Sequence, residues 1–150
     1  MYWKERFIKK EGFYMNTEDV IEWFTIADSD FDAAILLNEA IRKHREIICY
    51  HCAQAVEKYI KGYLIYWDII PQKTHNLITL NGLCIEKDNS FIVIQTSCNF
   101  LNRFANDIRY PNRYEVTESD VNLAIAAVEK IRNFQPILDL RVIITNKDES

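Results

Sequence analysis

The stretch "CYHCAQAVEKYIKGYL", residues 49–64, carries two cysteines, a histidine, a glutamine, a glutamate and two lysines within sixteen positions. Cys49, His51 and Cys52 could open a metal site, or the segment could be one buried helix with a polar edge. The spacing favours the helix. His51, Gln54, Lys58 and Lys61 advance by three, four and three residues, which at about 100° per residue places them on one narrow stripe with Glu57 at its flank. The remaining positions are almost all apolar. The pattern predicts a helix over 47–67, central to its fold, with its sulfurs inward and its basic edge outward, ended by Asp68 and Pro71.

Working outward, Val20, Phe24, Ala27, Phe31, Ala34, Leu37 and Ile41 recur every three or four residues and predict a long amphipathic helix from Thr17, capped by Asn16 or Thr17. After the central helix, "PQKTHNLITLNGLC" reads as a loop and a short helix with Thr74 as N-cap and Leu77, Leu80 and Leu83 as its apolar face. Ser90 is placed to cap a further helix with the stripe Phe91, Ile94, Cys98, Leu101, Ala105 and Ile108, stopping at Arg109-Tyr110-Pro111. Thr117 and Asp120 form a capping box for a last helix with the stripe Val121, Ala124, Val128, Ile131 and Phe134. Pro136 interrupts that helix, and "ILDLRVIITNKDES" continues for about a turn before fraying.

The predicted fold is therefore all-α: an antiparallel four-helix bundle with an additional short helix. Its parts are an N-terminal extension over 1–16, the bundle over 17–140 and a C-terminal tail over 141–150. The chain has only three Gly and three Pro in 150 residues, too few for the turns of an all-β fold. A net charge of −4 supplies no global field for nucleic acid, although a local basic patch is compatible with it. The longest uncharged run, Asn89 to Asn102, is short and polar, so no membrane association is expected. Four cysteines without a framework spacing, and a charged N-terminus unlike a signal peptide, point to a reducing cytoplasm.

For chemistry, Cys49 and Cys52 lack a second ligand pair for zinc, so they are read as core cysteines, and no metal is assigned. There is no G-x-S-x-G, P-loop or glycine-rich phosphate cradle. The polar stripe is the candidate: its imidazole, amide and ammonium groups suit a phosphate or a base edge.

These residues carry a resemblance. "YHCAQAVEKYIKGYLI", then "PQKTHNL", then "RYP", on a chain opening its first helix with "EWFTIADSDFDAAILL", is similar to the HEPN family of higher eukaryotes and prokaryotes nucleotide-binding domains, over about residues 20 to 135. The resemblance implies a helical bundle, often a homodimer, frequently beside a small nucleotidyltransferase-domain partner in toxin–antitoxin modules. It implies a nucleotide or RNA ligand and no required cofactor. Ligand-binding candidates are Gln54, Glu57, Lys58, Lys61, His75, Arg109, Tyr110 and Arg113. Arg109 and Arg113 flank Pro111 and could present a guanidinium pair to phosphate. Two alternatives stand beside this reading. One is a metal-independent RNase toxin, which needs an Arg followed after four to six residues by His; Arg45-x5-His51 has that spacing, while no His follows Arg109 in the required window. The other is a non-catalytic helical dimerisation module.

Overall fold

The computed structural model describes residues 17–106 and 115–148, and every regular element among them is helical. Helix α1 spans Thr17–Asn38. Its predicted stripe is the buried one: Val20, Phe24, Ala27, Phe31 and Ala34 all lie in the core. The stripe ends earlier than the periodicity suggested. The backbone tightens into i→i+3 bonds, Glu39 N–H to the Leu36 carbonyl and Ala40 N–H to that of Leu37, and the chain reverses. Leu37 packs at the core's margin and Ile41 is left fully exposed.

Helix α2, Arg45–Tyr66, is the central element. It packs against α1 and against every later helical segment of the core. Ile48, Cys49, Cys52, Ala55, Val56, Tyr59, Ile60 and Leu64 are fully enclosed. The helix terminates as predicted near Asp68, which adopts a left-handed conformation at φ 58°. There the Ile69 N–H donates to the Leu64 carbonyl at 2.8 Å, closing the last turn. Aspartate tolerates that region because its short side chain can bond locally.

Helix α3, Leu77–Lys87, is capped by Asn76 rather than by Thr74. Asn76 Oδ1 accepts from the N–H groups of Ile78 and Thr79, and Thr74 Oγ1 accepts one step earlier, from Asn76 N–H. The predicted fourth helix is broken into pieces. Asp88, not Ser90, caps a 3-10 helix over Asn89–Ile94, followed by α4, Gln95–Leu101, and a 3-10 turn, Asn102–Phe104. The run Ile92-Val93-Ile94 is β-branched and resists the α conformation. Burial still follows the stripe, with Phe91, Ile94, Cys98, Leu101 and Ala105 in the core. Ile108 and the predicted stop at Arg109 lie outside the described residues.

Helix α5, Glu118–Arg132, opens on the predicted capping box: the Asp120 N–H donates to Thr117 Oγ1 and the Thr117 N–H to Asp120 Oδ2, both at 3.1 Å. Such a cap contributes about 1 kcal/mol. The largest departure is at the C-terminus. The predicted break is present, with α5 ending at Arg132, but Pro136 then sits in the first turn of a new helix, α6, Gln135–Asp148, where no N–H is needed. Ile137 and Leu140 bury α6 against the core, and the helix runs on through 141–148, where a tail was expected.

All four thiols are free and buried. Burial pushes those of Cys49 and Cys98 up to about 12 and raises those of Cys52 and Cys84 further still, the state of packed, unreactive sulfur. None of the described helices is long and apolar enough to cross a membrane.

Candidate functional site

The polar stripe of α2 is set by how closely α1 lies beside it. At Gly62 an added Cβ would stand 2.5 Å from Phe24 Cε1 and 3.3 Å from Trp23 Cβ, so only glycine admits this approach. The two helices run antiparallel, and α1 therefore delivers Trp23 to Lys61 and Asp30 to His51 and Lys58.

The stripe does not face out along its whole length. It divides into two clusters. In the first, Asp30 is shared: Lys58 Nζ donates to its Oδ2 at 2.6 Å, and His51 Nδ1 lies 3.1 Å from its Oδ1. Lys58 also donates to Gln54 Oε1 at 3.0 Å. Here the charges are largely matched within the protein, and Lys58 and Asp30 are mostly covered. The expected free basic edge is corrected at this point: a carboxylate from 28 residues earlier in the chain occupies it.

The second cluster is different. Glu57 and Lys61 are both buried, against the expectation that they are surface groups. Lys61 Nζ donates to Glu57 Oε2 at 3.2 Å and lies 5.8 Å from the centroid of the Trp23 ring. The other carboxylate oxygen, Glu57 Oε1, is 2.8 Å from His75 Nδ1. The exposures are unequal and informative: the Glu57 side chain is 5% exposed and that of His75 63%. A carboxylate can only accept, so Nδ1 carries the proton and donates. The ring is thereby oriented, and Nε2 is the nitrogen left for a ligand. The loop after α2 thus brings the sequence motif around His75 onto the motif around Glu57.

Arg45 and His51 do not form one site within the chain. Six residues on a helix turn about 600°, leaving them roughly 120° apart. Arg45 Nε pairs with Glu118 Oε2 at 3.5 Å on α5, whereas His51 pairs with α1. Glu118 also accepts from Lys43 at 3.0 Å; that hydrogen bond first, and then the charges of Lys43 and Arg45, hold its carboxyl below the usual range. Arg109, Tyr110 and Arg113 lie outside the described residues.

Sequence reasoning missed Trp23 and Asp30. Both flank the buried stripe of α1, seven residues apart, which is the one signal that places them on the same edge. It also missed Asp28, which accepts from the buried Tyr59 hydroxyl and lies 3.6 Å from Arg132 Nη2. Burial first, then that bond to Asp28, raises the Tyr59 phenol well above its ordinary range.

A family model, the HEPN domain, matches residues 20–138. No curated protein and no solved structure matches the chain.

Proposed function

This chain belongs to the HEPN domain family, and from that premise we propose that it binds a nucleotide or an RNA phosphate at the corner formed by His75, Lys61 and Trp23, as a homodimer acting with a nucleotidyltransferase-domain partner. The observation that carries the reading is the exposed His75 ring fixed through Nδ1 on a buried carboxylate. With Nδ1 so engaged, a neutral ring offers Nε2 to accept from a ribose hydroxyl. A protonated ring donates Nε2–H to a phosphate. The remaining protons of the Lys61 ammonium add charge for the phosphate, and the Trp23 indole provides a face for base stacking. The Asp30 cluster does another job in this reading: it locks α1 to α2 and so positions Trp23.

No reaction is assigned to this corner. The endoribonuclease alternative asks for an arginine and a histidine on one phosphate, and Arg45 and His51 are held by different partners on different helices.

Thermal melts with ATP, GTP and a short single-stranded RNA test the proposal. A ligand at about 100 times its dissociation constant adds roughly 2.7 kcal/mol, a rise in Tm on the order of 5–10 °C for a chain of this size. The rise is expected for the parent protein and for His51→Ala, and it is expected to vanish in His75→Ala, each judged against its own melt without ligand. Flat curves with all three ligands, or a full rise in His75→Ala, would contradict the site.

A further inference from the structure

A second site, away from the His75 corner, lies where the C-terminal end of α2 meets α6. A cleft of about 300 Å³ opens there, and Tyr63, Tyr66 and Trp67 contribute to its walls. These residues occupy one face of α2 and its last turn, at i, i+3 and i+4. Their rings stand steeply to one another: Tyr66 and Trp67 at 86° with centroids 5.2 Å apart, Tyr63 and Trp67 at 61° and 6.5 Å. The rings meet edge to face and so form an aromatic corner at one side of the cleft. Leu140 and Ile143 of α6 add an apolar wall.

The polar lining is of one sign. Asp88 and Asp139 both line the cleft, and none of its lining residues is a cation. Asp88 Oδ1 accepts from the Ser90 N–H and Asp139 Oδ1 from Gln135 Nε2, at 3.0 and 2.6 Å. The second oxygen of each carboxylate accepts from none of the described residues. The Asp88 charge, after burial, helps push the Tyr63 phenol up to about 12. The corner already attracts a cation from the chain itself: Lys87 Nζ lies 4.4 Å from the centroid of the Trp67 ring.

We propose that this cleft binds a small alkylammonium ion, its charge held by the rings of Tyr63, Tyr66 and Trp67 and by the carboxylates of Asp88 and Asp139. Aromatic faces attract cations through their quadrupoles, most strongly when water is excluded. The same lining repels phosphate and carboxylate ligands, which separates this site from the nucleotide corner. The volume is at the low end for ligand pockets and suits a compact head group.

Choline is the probe, with its uncharged isostere 3,3-dimethylbutan-1-ol as control. Proton NMR of the ligand methyl groups is expected to show a saturable upfield ring-current shift with choline, with a dissociation constant on the order of 1 mM. The isostere is expected to bind about tenfold more weakly or not at all. Trp67 is well exposed, so Trp67→Ala retains the fold, and it is expected to weaken choline about tenfold. Asp139→Asn, a surface change on α6, is expected to weaken it several-fold. Equal binding of the two probes, or no saturable shift with choline up to about 10 mM, overturns the proposal. So does full choline binding in both variants.

Discussion

Replacing Glu57 by alanine is expected to cost about 3 kcal/mol or more in stability and to abolish the nucleotide-induced rise in Tm. Glu57 and Lys61 have side-chain exposures of 5% and 11%. An ion pair so placed adds little net stability over an apolar pair, because both charges lost water on folding. Removing one member is another matter, since it leaves the other buried without a counter-ion, typically at a cost of about 3–5 kcal/mol. Lys61 is further constrained by Trp23, which the close approach of α1 at Gly62 holds beside it. The same substitution releases His75 from its only hydrogen-bonded partner among the described residues. Urea unfolding measures the first effect. Glu57→Ala combined with Lys61→Ala is expected to recover part of the loss, because the uncompensated charge has gone. A loss below about 1 kcal/mol for Glu57→Ala alone would show that Lys61 reaches water unaided and that the pair is not buried in solution.

The second large effect is alkaline unfolding. The thiols of Cys49, Cys52, Cys84 and Cys98 titrate from an ordinary value of 9.0 once unfolded, and at about 12 or above when folded. Between these values the unfolded chain has released protons that the folded chain retains, so stability falls as pH rises. Each group contributes at most about 1.4 kcal/mol per pH unit, so four together approach 5 kcal/mol per unit above roughly pH 9.5. Tyr59 and Tyr63, also raised by burial, add to the slope above about pH 10. A domain of ordinary stability, about 5–15 kcal/mol, is then expected to unfold between roughly pH 10 and 11. Helical circular dichroism against pH, with reductant present, reads this directly. Cys52→Ala and Cys84→Ala should each lessen the slope. A stability unchanged between pH 8 and 10.5 would mean that the sulfurs are not packed as described.

How much of this was legible beforehand differs by the range of the interaction. Much of what depends on neighbours within one helix was readable. The α1 stripe from Val20 to Ala34 came from spacing alone, as did the inward face of the central helix and the Thr117–Asp120 box. Local competition defeated the reading in a few places. Asn76 and Asp88 displaced Thr74 and Ser90 as caps because each lies where its side-chain oxygen reaches the first free N–H groups. Pro136 marks a true break after Arg132, but the same ring also suits a helix start, and spacing alone does not show how far α6 runs.

The polar stripe is legible in the sequence, but the partners that divide it are not. Gln54, Glu57, Lys58, Lys61 and His75 were all singled out, yet one periodic stripe could not reveal that it would be split. That depends on Asp30 and Trp23, which reach α2 only because the chain reverses after Asn38 and Gly62 lets α1 come close. It also depends on the loop from Trp67 to Asn76, whose return path sets His75 on Glu57. Neither contact leaves a periodic trace. The aromatic corner at Tyr63, Tyr66 and Trp67 was hidden for the same reason: without the long α6, it has no second wall.

The central claim is that His75, held on Glu57, is the group this HEPN domain offers to a nucleotide, while His51 is committed to Asp30. Long-range proton–nitrogen NMR of the imidazole side chains tests it most directly. The account predicts that His75 shows the tautomer protonated at Nδ1, and that adding ATP or GTP moves the His75 signals while those of His51 and His44 stay in place. Signals from His51 that move while those of His75 remain fixed, or a free His75 protonated at Nε2, would contradict it.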